Sequence, residues 1–156
     1  MDLDQQLQDL IQQSPQDGVT PDIVAAIAPI LKQLASQLRH PQYYIVQTLD
    51  QSWAVTTLSN QEQPEMEKTV IYAFPTLADV SGSPYPMQDP EMMALPMPVT
   101  HILFQMLAME GVHSTIFFET PGSLEIGTEI RRNQLNQLIQ AHLQEQQIIP
   151  ASSLPP

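Results

Sequence analysis

The chain has no cysteine. Disulfides, thiolate zinc sites and cysteine nucleophiles are therefore excluded. Glycine is scarce too, with five residues spread along 156. None of them builds the glycine-rich phosphate loop of a nucleotide-binding site. Cations are the third shortage: 5 Lys and Arg stand against 17 Asp and Glu, for a net charge of −12. Phosphate binding depends on clustered cations that release counterions, so nucleic acid is not an expected partner. An anionic membrane surface is disfavoured for the same reason. No apolar run approaches the ~20 residues that span a bilayer, so no membrane insertion is expected. The start, Met1-Asp2-Leu3-Asp4, is acidic where a secretory signal is basic. These features point to a protein that stays in the cytoplasm.

What is present begins with helical periodicity. Leu3, Leu7, Leu10 and Ile11 share one face, and Ser14-Pro15 with Asp17-Gly18 break the pattern. A second helix is predicted from Thr20-Pro21, with the stripe Ile23, Ile27, Ile30, Leu31, Leu34 and Leu38. Pro29 lies inside it and is expected to kink or restart it. Residues 1–40 thus read as an N-terminal helical pair, and residues 41–147 as an α+β domain. Residues 148–156 read as a flexible tail.

Strand texture follows. Residues 43–49 and 53–58 read as a β-hairpin, residues 59–67 as a polar loop, and residues 69–74 as a third strand. Thr76 and Asp79 are spaced as a capping pair for one helical turn. Residues 81–98 hold five prolines and four of the eight methionines, which excludes a regular helix or a central strand. An apolar helix is predicted from Val99 to Glu110, ended by Gly111. His113 to Glu119 carries apolar groups on both faces, as a central strand does. The last helix starts at Thr128 or Asn133, with the stripe Leu135, Leu138, Ile139 and Leu143. The predicted fold is α+β. It has a mostly antiparallel sheet of four to five strands, helices on one face, and the N-terminal helical pair.

Chemistry-bearing motifs are sparse. His40, His101, His113 and His142 form no His-x-x-x-His or His-Glu-x-x-His pair, so no metal site is expected. Ser123 follows a glycine but lacks the Gly-x-Ser-x-Gly elbow. Glu119 and Glu125 flank the Pro121-Gly122 turn, which in so acidic a chain need not be a catalytic pair. No catalytic residue and no cofactor is assigned. Two features stand out. The proline- and methionine-rich segment offers an adaptable contact surface at Tyr85, Met87, Met92, Met93 and Met97. Arg131 and Arg132 place two of the five cations together, either paired with Glu125 or Glu129 or forming a candidate anion site.

One resemblance extends this reading. The strand Lys68-Thr69-Val70-Ile71-Tyr72-Ala73-Phe74 fits a Lys-x-Val-x-Tyr-x-Phe pattern. An apolar helix, an apolar strand, the Pro121-Gly122-Ser123 turn and an amphipathic helix follow it. This order, over about residues 40–145, resembles the N-terminal domain of the SseB-like family. Thr120 stands where that family commonly has Asn. The resemblance implies a non-catalytic role and transfers no site residue. The expected function is a protein-interaction or regulatory protein with a protein partner. Three alternatives stand beside it. One is a small-ligand or anion-binding protein, or an enzyme, that uses Arg131, Arg132, Glu119 and His101. Another is a chaperone-like acidic adaptor. The third is a homo-oligomer joined through residues 1–40.

Overall fold

The computed structural model of the chain describes residues 2–13, 20–48, 50, 52–60, 63–81, 92–124 and 127–146. Two helices come first, α1 (Leu3–Gln13) and α2 (Thr20–Ala35). Strands β1 (Gln42–Gln47), β2 (Thr56–Asn60) and β3 (Gln63–Phe74) follow, then the short α3 (Leu77–Ser81). Next are β4 (Met93–Pro98), α4 (Val99–Ala108), β5 (Ser114–Phe118), β6 (Gly127–Arg131) and α5 (Arg132–Gln146). The fold is α+β. Its sheet has six strands in the order β4-β1-β3-β5-β6, with β2 also paired to β3. Every pairing is antiparallel except β3 with β5.

The sheet separates two cores. On one face Tyr43, Ile45, Ile71, Ala73, Phe117 and Ile130 meet the apolar stripes of α1, α2, α4 and α5. On the other face Val70, Tyr72, Phe74 and Phe118 form a second cluster with Val80 of α3. Alternation along β3 explains the split, because successive side chains point to opposite faces. Strand β5 uses both faces, as its sequence predicts: Phe117 joins the first core and Phe118 the second. Helix α2 fits its 3.6-residue period better with Val24 than with Ile23. Val24 is fully buried, whereas Ile23 is 51% exposed. The helix runs unbroken through Pro29. Each fully buried aliphatic side chain on such a stripe stabilises the fold by roughly 1.5–3 kcal/mol.

The N-terminal pair is packed into the first core, where Leu7, Ile27, Leu31 and Leu34 are buried. Gln6 fastens α1 there. Its amide donates to the Pro41 carbonyl at 2.8 Å and accepts from the backbone N–H and hydroxyl of Thr100 at 3.1 and 2.8 Å.

Several sequence expectations are corrected. Residues 43–49 and 53–58 do not form a simple hairpin. A tight reversal exists, with Gln47 bridged to Trp53 and Ala54 N–H donating to Val46 at 2.9 Å. Beyond it β2 continues in the line of β1 instead of returning along it. Ile45 faces Ala73 and Thr56 faces Val70. From Ile45 to Thr56 the chain advances 11 positions while β3 moves back only three, so eight residues form an excursion. The predicted loop 59–67 is largely strand, because β2 and β3 form the long hairpin. Residues 93–98 of the predicted loop form β4, which is tolerated because β4 is an edge strand. Helix α4 ends at Ala108, with Met109 N–H donating back to Met106 at 3.1 Å. Gly111 is therefore not its left-handed cap; among the described glycines only Gly122, at φ +86°, is left-handed. Thr128 belongs to β6, and α5 starts at Arg132. The two unforeseen strands, β4 and β6, raise the count from four or five to six.

Candidate functional site

The arginine pair sits where β6 passes directly into α5. Arg131 ends the strand and Arg132 opens the helix. A cation at a helix start opposes the helix dipole, yet Arg132 has a use elsewhere. Its Nη2 donates to the Leu107 carbonyl at 2.8 Å, in the last turn of α4, where carbonyls lack helical partners and a positive charge is favourable. Its Nε is buried without a hydrogen-bond partner. Arg131 is mostly exposed and lies 3.9 Å from Glu129, a loose ion pair.

Around this junction lies a cavity of about 400 Å³, lined by Glu67, Lys68, Glu110, Val112, His113, Arg131, Arg132 and Asn133. Three of the chain's five Lys and Arg residues are therefore gathered at one place. Lys68 pairs with Glu129, which also accepts from the Ser114 hydroxyl at 2.6 Å. Burial pushes the Glu129 carboxyl up, but hydrogen bonds from Lys68 and Ser114 and the nearby cations outweigh it. The net position is below the usual carboxylate range. His113 Nδ1 accepts from the Thr69 N–H at 2.9 Å. The ring proton is thereby assigned to Nε2, which has no partner among the described residues.

Glu119 and His101 do not join this cavity. Ser114 pairs with Arg131 at one end of β5, and Glu119 follows Phe118 at the other. The five residue steps from Ser114 to Glu119 span ~17 Å of strand. Glu119 instead closes a structural cluster. Its Oε1 accepts from Arg39 N–H at 2.9 Å and from the Tyr43 hydroxyl at 3.1 Å, and its Oε2 accepts from the Thr128 hydroxyl at 2.9 Å. Its carbonyl accepts from His40 Nε2 at 2.7 Å. His101 Nε2 donates to the Gln6 carbonyl at 3.0 Å. The four-residue set expected from sequence is thus corrected to the arginines alone, joined by Lys68 and His113. Those two were missed because β3 and the α4–β5 turn reach the site only through sheet pairing.

The second feature is the outer edge at β4. Met93 and Leu95 occupy alternate positions and are 39% and 36% exposed. Met97 continues that face but packs on the first core. Met92 is half-buried just before the strand. Tyr85 and Met87, the other two residues of the candidate surface, lie outside the described residues, as does Glu125. Val99 N–H donates to the Pro41 carbonyl at 2.9 Å. Alternation from that bond turns Met97, Leu95 and Met93 inward to β1, and Pro98, Pro96 and Ala94 outward. Two of those three outward positions have no N–H, so the edge offers carbonyls with few donors. Such an edge resists pairing with another strand.

No group of three or more His, Asp or Glu placed to hold a metal ion occurs among the described residues, and no described helix is long and apolar enough to cross a membrane. Compared with known protein-family models and with curated proteins, the sequence matches none of either.

Proposed function

We propose that this chain is a non-catalytic interaction protein of the cytoplasm, and that it contacts a basic protein partner through the outer flank of β4. The observation that carries this reading is the pair Met93 and Leu95, left half-exposed on a strand whose backbone is closed to pairing by Pro96 and Pro98. Contact there is made by side chains. Methionine suits such a surface because it is unbranched and adapts to its partner. The net charge of −12 selects a cationic partner and speeds the encounter. The same charge opposes self-association, and Leu7, Ile27, Ile30 and Leu34 are already spent inside the fold. The resemblance of residues 40–145 to the SseB-like family supports a non-catalytic role. The test is co-purification at native abundance. The double variant Met93→Glu/Leu95→Glu is expected to lose the partner, and Ile23→Glu, on α2, to keep it. Retention by the double variant would remove this surface.

A second reading is favoured by the cavity at Arg131 and Arg132: a small-ligand site in the same protein. Its support is the convergence of Lys68, Arg131, Arg132 and His113 on one concave surface. Small-ligand sites are typically cavities of ~300–1,000 Å³ with a few converging polar groups.

A further inference from the structure

The charges at the cavity narrow the class of ligand it can hold. Its wall carries three cations, Lys68, Arg131 and Arg132, and two carboxylates, Glu67 and Glu110. Glu129 stands behind them, bound to Lys68. Around the cavity the formal charges cancel, in a chain that elsewhere carries all of its net −12. A doubly charged phosphate would meet the two wall carboxylates here, and a simple cation would meet the arginines. Neither is well matched.

The uncommitted groups are of both kinds. Among the described residues, Glu67 and Glu110 belong to no ion pair. On the donor side stand the His113 Nε2–H and the exposed Arg131 guanidinium, held only by its loose contact to Glu129. The buried Arg132 Nε also lacks a partner. The Thr69 N–H orients the imidazole, so its free donor is fixed in advance.

We propose that this cavity binds a small zwitterion of the α-amino-acid class. The ligand's carboxylate is received by Arg131, Arg132 and His113 Nε2, and its ammonium by Glu67 and Glu110. The proposal rests on the small-ligand reading above and adds the ligand's charge pattern to it. A volume of about 400 Å³ accommodates an amino acid with a modest side chain.

The experiment is an amide-resolved NMR titration of the full chain with four probes: L-glutamine, acetate, ethylammonium and inorganic phosphate. L-Glutamine is expected to shift the amides of Val112, His113, Arg131 and Asn133 saturably, and each other probe to do so at least roughly tenfold more weakly. Arg131→Ala and Glu110→Gln change exposed side chains, so both variants are expected to fold. Each should weaken L-glutamine roughly tenfold, a loss a purely structural role would not produce. If acetate or phosphate matches L-glutamine at these amides, the site takes anions and the zwitterion proposal is wrong while the small-ligand reading stands. If ethylammonium matches it, the proposal is equally wrong. If no probe moves these amides, both the proposal and the small-ligand reading fall.

Discussion

Two acidic side chains spaced around the same turn show how single residues hold this fold. Asp79 is buried, and every contact it makes is local or crosses to one loop. The Thr76 hydroxyl donates to its Oδ2 at 2.6 Å while Asp79 N–H donates back to Thr76 at 3.1 Å. Its Oδ1 accepts from Gly122 N–H at 2.8 Å, tying α3 to the left-handed turn after β5. Asp79→Ala leaves the Thr76 hydroxyl and the part-buried Gly122 N–H without their acceptor, so a loss of about 1–3 kcal/mol is expected in urea unfolding. Glu119 performs the corresponding task at the first core. Beside it, Tyr43 is fully buried, and burial, then the Glu119 charge, push its hydroxyl above the usual tyrosine value of 10.0. The unfolded chain loses this proton first. Stability is therefore intact below about pH 10 and falls as the pH rises beyond it. Urea midpoints measured on either side of that pH should show the decline. Tyr43→Phe should flatten it, at some cost in stability near neutrality, because Glu119 loses one of its donors and the His40 N–H loses its acceptor.

Elements differ in how far the sequence declares them. The helices were legible because apolar stripes at 3.6-residue spacing leave little choice of face, and Leu135 with Ile139 is buried as read. Strand β5 was legible as central because Phe117 and Phe118 demand cover on both sides. Strand pairing was less legible. Residues 43–49 and 53–58 both have strand texture, but texture does not state that β2 extends β1 along β3. Strand β6 was missed because Gly127–Arg131 is short and mostly polar, and β4 because prolines argue against a strand. The prolines are compatible with β4 only at its outer edge, where no ladder bond is lost. They also protect it. Pro96→Thr restores an outward N–H beside exposed Met93 and Leu95. Concentration-dependent association, measured by light scattering, is expected to rise in this variant and to stay unchanged in the wild type. Of the candidate site, the arginine pair was visible in the sequence. Lys68 and His113 were not, because pairing of β5 with both β3 and β6 is what brings them within reach.

At the scale of the whole molecule, the strongest constraint is charge, followed by what the core leaves outside. Seventeen acidic residues against five basic ones give the surface a repulsion toward another copy of itself, and they are why the proposed partner is cationic. The N-terminal pair does not stand apart as a free arm: Gln6 is held between Pro41 and Thr100, and the α2 stripe closes the first core. Among the described residues the flank of β4 leaves two large apolar side chains, Met93 and Leu95, exposed on one strand. The most direct measurement is photo-crosslinking in the native cell with a photoreactive side chain at position 95, compared with one at position 23. The expected result is a single heterologous adduct at 95, with a basic protein, that forms less as salt is raised in extracts and is absent at 23. No adduct at 95, or the same adducts at both positions, would contradict a partner-binding role for β4.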